Sequence, residues 1–161
     1  MKPDLKVFVY GTLKTGFHNH ARFCQGVAEV QNAMVMGRLY DVGVGFPALE
    51  IPADSILEVG SNDHLDDIAV QEKFRSRHEK SRILPSIEGD WGYVYGEILT
   101  FRYPAPQFAR LDQLEGFQAS RTSFYNRVLA LAEWNEQTEP VWMYVMEDFR
   151  GKRRILDGVW R

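Results

Sequence analysis

This sequence has little cysteine and no excess of basic residues. Cys24 is the single cysteine among 161 residues, so no internal disulfide can form and nothing favours an oxidising compartment. The formal net charge is −3 at pH 7, whereas a protein that binds nucleic acid is expected to carry a basic face. A disulfide-stabilised secreted protein and a DNA- or RNA-binding protein are therefore both disfavoured.

Long hydrophobic runs are missing as well. A membrane-spanning helix needs about 18 consecutive apolar residues, and no stretch of the sequence approaches this length. The opening residues MKPDLK lack the apolar segment of a signal peptide. We therefore expect a cytoplasmic protein with no membrane partner. Hydrophobic residues make up 45% of the chain, which is enough for a packed core, and we expect residues 1–161 to form a single domain.

Runs of β-branched and aromatic residues predict about six strands with short connections. They are LKVFVYGTL, VAEVQNAMVMGRLYDVG, FPALEI, WGYVYGEILTF, FYNRVLALAEW and PVWMYVM, the last two joined by the polar turn NEQTE. Strands without regular helix alternation argue against a doubly wound parallel sheet. The pattern favours an α+β fold, a small mixed, mostly antiparallel β-barrel flanked by helices.

One segment, PAPQFARLDQLEGF, predicts a helix. Its prolines suit a first helical turn, and Phe108, Leu111 and Leu114 recur at helical spacing. Gly116 is expected to end this helix in a left-handed conformation, which leaves Glu115 in its last turn.

Residues 54–90 are rich in charge and poor in large apolar side chains. They allow two interpretations. One is an inserted surface helix, capped by Asp63, with Leu65, Ile68 and Ala69 on a narrow apolar stripe. The other is a partly disordered loop. In either case the segment is a candidate surface for a protein partner.

The stretch YGTLKTGFHNH after the first strand has the glycine spacing of a phosphate-binding loop. Gly11 and Gly16 match, but Phe17 and His18 occupy the positions of the essential lysine and hydroxyl residue, which argues against nucleotide hydrolysis. His18 and His20 lack the further ligands that a metal site needs, so we predict no metal.

Two features remain that together indicate a different chemistry. Where the first strand ends, the backbone N–H groups of Gly11, Thr12 and Leu13 are expected to be free to hold a carboxylate or carbonyl oxygen, with the Tyr10 hydroxyl nearby. Glu115 adjoins the apolar face of the predicted helix. It either points into a pocket, where burial makes it a proton acceptor, or faces solvent before a capping glycine.

These stretches resemble the γ-glutamylcyclotransferase-like family, which includes the γ-glutamylamine cyclotransferases and the plant avirulence-induced proteins. VFVYGTLKTGFHNH resembles its N-terminal strand and loop, and LDQLEGF resembles its catalytic helix end. YGEILTF, FYNRVLAL and GVW are further matches. The resemblance implies a compact β-barrel that releases 5-oxoproline from a γ-glutamyl amine or amide. The substrate's own α-amine attacks its γ-carbonyl, so no metal or cofactor is implied.

By position in these motifs, the resemblance assigns Glu115 as the acid/base and residues 10–13 as the holders of the substrate's α-carboxylate and carbonyl. Tyr125 and Arg127 correspond to the family's Y-x-R, as supporting or substrate residues. QASRTS and Phe124 intervene before them, later than the family pattern. The longer charged segment could cover the pocket.

Two other uses of the same fold stay open at this level. One is a non-catalytic module that binds a metabolite or a protein partner, because a fold does not guarantee a chemistry. The other is removal of a γ-glutamyl group from a larger intermediate. Whether Glu115 shares a pocket with the N–H groups of residues 11–13 discriminates the enzyme from the binding module.

Overall fold

The structure is a computed structural model that describes residues 4–43, 45–77, 88–119 and 125–161. Its strands are β1 (Leu5–Val9), β2 (Val27–Asp41), β3 (Pro47–Glu50), β4 (Glu58–Val59), β5 (Gly92–Phe101), β6 (Asn126–Trp134), β7 (Gln137–Val145) and β8 (Arg153–Ile155). Its α-helices are α1 (His18–Phe23), α2 (His64–Arg77) and α3 (Pro104–Glu115), with a 3-10 turn at Ala53–Ser55. None of these helices of the described residues is long and apolar enough to cross a membrane.

Five of the strands close into a barrel in the order β2, β5, β1, β7, β6 and back to β2. Met34 opposite Glu133 joins β2 to β6 and completes the ring. Within the ring only β1 and β7 run parallel, with Val7 opposite Trp142. Strands β3 and β8 extend β2, and β4 extends β6. The predicted α+β fold, a mixed and mostly antiparallel barrel flanked by helices, is confirmed.

Strand β1 is buried on both faces from Val7 to Val9, as the apolar run that follows Lys6 predicts. Leu5, Val7 and Val9 pack in a cluster that also contains residues of α2 and α3. Phe8 and Tyr10 pack in a second cluster built from the barrel strands. Strand β1 pairs with β5 on one side and with β7 on the other. These strand pairings fix the point at which the following loop begins.

The hairpin between β6 and β7 turns on two residues, Asn135 and Glu136, with φ of 49° and 62°. Such a pair is typical of the tight turn whose twist matches the flanking strands. The turn is therefore shorter than the five residues NEQTE that were predicted for it. The remaining three belong to β7, where Gln137 pairs with Trp134.

Helix α3 follows the sequence prediction. Phe108 and Leu111 are fully buried, and Gly116 ends the helix at φ 69°, with its N–H donating to the Gln113 carbonyl at 3.3 Å. Glu115 is therefore the last helical residue.

The described part of the charged segment is folded. Asp63 caps α2, since its Oδ1 accepts the N–H of Asp66 at 3.0 Å. Residues 78–87 lie outside the described residues, so neither interpretation of that part is tested. The partner surface suggested for residues 54–90 stays a prediction.

The apolar stripe predicted for α2 is wrong at two of its three positions. Ile68 is buried, but Leu65 is 70% exposed and Ala69 is exposed. Two polar residues, Asp67 and Gln71, are buried beside Ile68 instead. Gln71 hydrogen-bonds backbone groups of β1 and β7, so hydrogen bonds as well as apolar contacts hold this helix on the barrel.

Gly96 lies where β5 crosses the end of β1. A Cβ at this position would overlap the carbonyl oxygen of Val9 and lie 2.9 Å from the Phe8 ring. We expect Gly96→Ala to lower the free energy of unfolding by about 1–3 kcal/mol, the usual cost of overpacking, measured by urea unfolding.

The matched control is Gly92→Ala in the same strand, where the nearest atom to the new methyl group is Arg154 Nη2 at 3.6 Å. We expect its stability to stay within about 0.5 kcal/mol of the parent. Equal effects of the two variants would contradict the packing argument.

Candidate active site

A pocket of about 410 Å³ lies where β1 ends, between the loop of residues 10–13, the start of β3 and the end of α3. Its wall includes that loop together with Phe46, Glu115, Tyr125 and Tyr144. Glu115 and the backbone of residues 11–13 therefore share one cavity. The alternative in which Glu115 faces bulk solvent does not hold.

Three residues of the loop after β1 line this pocket: Gly11, Thr12 and Leu13. Within the described part of the chain, no oxygen accepts a hydrogen bond from the N–H of Gly11, Thr12 or Leu13, while the next N–H, of Lys14, closes the turn onto the Gly11 carbonyl at 3.1 Å. A Cβ at residue 11 would meet Pro47 at 2.8 Å, so glycine permits this close approach. Three adjacent free donors suit a carboxylate or a developing oxyanion.

Two hydroxyl groups near the loop differ in what they can offer a ligand. Thr12 Oγ1 accepts a hydrogen bond from Asn19 Nδ2 at 2.8 Å, which leaves its own hydrogen available to donate. The Tyr10 hydroxyl already donates to the Tyr144 carbonyl at 2.6 Å. Burial raises the pKa of Tyr10 well above its usual range, so this hydroxyl stays neutral and can only accept.

The histidines of HNH support the loop. His20 Nδ1 lies 2.8 Å from the Leu13 carbonyl oxygen, and His18 lines the pocket. Across the described ranges no three histidine, cysteine, aspartate or glutamate side chains converge as a metal site would need. The geometry gives His20 the role of orienting the turn.

Glu115 is the carboxyl group of the pocket wall. Burial, and secondarily the negative charge of Asp112, raise the pKa of Glu115 from 4.5 to about 7. A carboxyl group with this pKa accepts and returns a proton near neutral pH, as a general acid/base must. Burial also raises the pKa of the neighbouring Tyr125 hydroxyl, so that hydroxyl stays neutral beside it.

The two residues of the Y-x-R motif lie in different places. Tyr125 lines the pocket, and its hydroxyl donates to the Pro47 carbonyl at 2.6 Å. Arg127 is fully buried and is not among the pocket-lining residues. Its guanidinium pairs with Asp112 at 2.7 Å and Asp67 at 2.8 Å, so it joins α3 to α2 beneath the site.

A comparison with known protein families identifies the family of this chain. A family model described as gamma-glutamyl cyclotransferase, AIG2-like, matches residues 7–66 and 61–161. The chain belongs to the AIG2-like gamma-glutamyl cyclotransferase family. No curated protein sequence matches the chain.

Solved structures show that this member of the AIG2-like family shares its fold with distant proteins. YkqA from Bacillus subtilis has 20% sequence identity and a TM-score of 0.58 over 98% of this chain, which spans 39% of YkqA. The uncharacterized protein PH0828 from Pyrococcus horikoshii has 13% identity and a TM-score of 0.53, over 96% of this chain and 88% of its own. The uropathogenic E. coli-specific protein c4763 has 15% identity and a TM-score of 0.53, over 97% and 91%. At these identities the likeness concerns the fold alone.

Sequence reasoning missed the polar network under the site of this AIG2-like chain. Asp112 accepts hydrogen bonds from the Tyr144 hydroxyl at 2.6 Å and from Arg127, and its Oδ2 lies 2.8 Å from His64 Nε2. One signal in the sequence pointed to it: Asp112 precedes Glu115 by three residues, which places both on one helix face. The partners come from α2, β6 and β7, and no local pattern joins those elements.

Proposed function

We propose that this chain is a γ-glutamylcyclotransferase-like enzyme that releases 5-oxoproline from a γ-glutamyl amine or amide. One observation carries the proposal: Glu115, with a pKa of about 7, shares a pocket with the free N–H groups of residues 11–13. Membership of the family supports cyclotransferase chemistry in general. To this general chemistry we add the class of substrate, a γ-glutamyl amine or amide.

The loop of residues 10–13 would bind the γ-glutamyl group. Its three N–H groups and the Thr12 hydroxyl would hold the α-carboxylate and polarise the γ-carbonyl oxygen. Holding both ends of the group brings the α-nitrogen against the γ-carbonyl carbon, and such proximity removes much of the entropic barrier to closing a five-membered ring. The same donors would stabilise the negative oxygen that develops as the nitrogen attacks.

Glu115 would move the proton. The substrate's α-ammonium first loses one proton to solvent and becomes a neutral amine. As its nitrogen forms the new bond to the γ-carbonyl carbon, ionised Glu115 accepts a second proton from that nitrogen. The bond from the γ-carbonyl carbon to the leaving nitrogen then breaks, and Glu115 returns this proton to the departing amine. The products are 5-oxoproline and the free amine.

The test is incubation of the purified protein with a panel of γ-glutamyl amines and γ-glutamyl dipeptides, with 5-oxoproline and glutamate measured by mass spectrometry. The matched control for each compound is its α-N-acetyl derivative, whose nitrogen is not nucleophilic. We expect 5-oxoproline from at least one free compound and none from its acetylated form. Release of N-acetylglutamate from the acetylated form, or of glutamate from the free compound, would indicate hydrolysis instead. Binding of panel compounds without turnover would support the non-catalytic module.

The proposal also predicts the direction of the pH dependence. Below the Glu115 pKa of about 7 the carboxyl is protonated and cannot accept the proton of the attacking amine. We therefore expect kcat/KM to rise with pH through about 7, because the ionised fraction of Glu115 rises there. Initial rates between about pH 5 and pH 9 measure this, and a profile that falls across this range would oppose the assignment of Glu115 as the base.

A further inference from the structure

Asp112 is a buried carboxylate directly next to the proposed acid/base. The residue is 7% exposed, and it lies one helical turn before Glu115 on α3. Its Oδ1 accepts hydrogen bonds from Arg127 Nε and from the Tyr144 hydroxyl. Its Oδ2 is within hydrogen-bond distance of Arg127 Nη2 and His64 Nε2. Four donors on two oxygens suit an ionised carboxylate, which accepts hydrogen bonds and donates none.

The charges around Asp112 do not cancel. Arg127 pairs with Asp67 as well as with Asp112, so two buried carboxylates share one guanidinium. His64 is the remaining group able to carry positive charge against Asp112, and its side chain is 28% exposed. When His64 is neutral, one negative charge therefore remains on the cluster of Asp67, Asp112 and Arg127.

We propose that Asp112 is a positioning residue for the reaction, a fixed anion one helical turn before Glu115 that favours the protonated form of the Glu115 carboxyl. Its effect on rate rests on the proposed function. Its effect on the protonation of Glu115 does not, and it can be measured without any substrate.

The surroundings of Glu115 support this role. After burial, the charge of Asp112 is the cause that raises the pKa of Glu115. A base with a raised pKa removes a proton from an amine more readily than an ordinary glutamate, and it still returns that proton near neutral pH. The other titratable groups around the two carboxyls lie on several helices, strands and loops. They are His18 on α1, His64 and Asp67 on α2, Arg127 on β6, Tyr144 on β7, and Tyr10 and Tyr125 in the adjoining loops.

The test is a titration of the Glu115 carboxyl by NMR, with glutamate labelled at the side-chain carboxyl carbon and the signal assigned by its loss in Glu115→Gln. We expect Asp112→Asn to move the titration midpoint of Glu115 toward acid by about one pH unit, the size typical of losing a nearby like charge. Asp67→Asn is the matched control, because it removes the other carboxylate of Arg127. We expect less than half that shift, since Asp67 lies on a different helix.

A second pair of variants keeps the test decisive if Asp112→Asn does not fold. His64→Lys places a permanent positive charge at the exposed end of the network, and His64→Gln places none. We expect the Glu115 midpoint to lie at lower pH in His64→Lys, because the lysine offsets the charge of Asp112. Equal midpoints in this pair, or an unmoved midpoint in a folded Asp112→Asn, would overturn the proposal. So would an Asp67→Asn shift as large as that of Asp112→Asn.

The kinetic readout separates this inference from the proposed function. If the enzyme is active, the midpoint of kcat/KM against pH should move to acid in Asp112→Asn along with the NMR midpoint. If no panel compound yields 5-oxoproline, the proposed function fails, and the NMR shift still decides whether Asp112 controls the protonation of Glu115.

Discussion

Replacing Glu115 with glutamine is expected to lower kcat for 5-oxoproline release by about 10²–10⁴-fold, the usual contribution of a positioned general acid/base. Glutamine keeps the size and the hydrogen-bonding ends of the side chain but cannot accept a proton. Initial rates on the best panel substrate measure the effect. The residual activity should also lose the rise of kcat/KM near pH 7, because the group that titrates there is gone.

The control for this variant is Glu72→Gln on α2, whose side chain is 49% exposed and paired with Arg75 on the same helix. It makes the same chemical change far from the pocket wall and should keep the parental rate. A Glu115→Gln variant as active as the parent would remove Glu115 from the mechanism and leave the free N–H groups as the remaining catalytic feature.

The same variant should be more stable than the parent at alkaline pH. In the folded protein the Glu115 pKa is about 7 rather than 4.5, so between these values the folded state holds a proton that the unfolded chain releases. Stability therefore falls as pH rises from about 4.5 to about 7, and glutamine avoids that loss. We expect Glu115→Gln to unfold with about 1–3 kcal/mol more free energy than the parent at pH 8. The difference should disappear near pH 4, as urea unfolding at both pH values would show.

Loss of activity joined to a gain in stability cannot be explained by misfolding. A Glu115→Gln variant that is less stable than the parent at pH 8 would mean that the carboxylate is better satisfied in the pocket than its burial indicates.

Replacing Arg127 with methionine is expected to lower the free energy of unfolding by about 3–5 kcal/mol, because it leaves buried charges without their partner. Arg127 is fully buried and pairs with Asp67 and Asp112. Its guanidinium also lies 4.0 Å from the centre of the Phe108 ring and 5.0 Å from that of Trp142. Methionine preserves much of the packing and removes the charge. Urea unfolding at pH 7 measures the loss.

Arg150→Met is the matched substitution at a surface ion pair. Arg150 and its partner Asp148 are 91% and 63% exposed, and exposed pairs contribute little, so this variant should unfold like the parent. Adding Asp67→Asn and Asp112→Asn to Arg127→Met should restore part of the lost stability, because the carboxylates left unpaired are then removed as well. If the triple variant is less stable than the single one, unpaired charge is not the main cost.

Local sequence patterns predicted the elements that carry the candidate site. The buried run of β1, ending before Gly11, and the helix that ends at Gly116 were both predicted from the residues within them. Such elements follow from side-chain periodicity and from the conformational freedom of glycine, which are local properties. The short strands β4 and β8 were not predicted, because two or three residues are too few to show alternation.

The buried face of α2 could not be predicted by the same reasoning. A search for an apolar stripe considers only apolar residues. It predicted that Leu65 and Ala69 are buried, but both are exposed. Asp67 and Gln71 are buried instead, because a guanidinium and backbone groups from other strands satisfy their polar atoms. A buried polar residue is recognisable only once its partners are known.

The sequence by itself determined the barrel class, the loop of free N–H groups after β1, and the glutamate at the end of α3, because each depends on neighbouring residues. Only the tertiary structure decided that Glu115 faces that loop across one pocket and that Asp112 lies beneath it, bound to Arg127. These relations depend on closing β2 against β6 and packing α2 and α3 on the barrel, which joins residues far apart in the chain. Burial in that assembly is also what gives an ordinary glutamate a pKa near neutral pH.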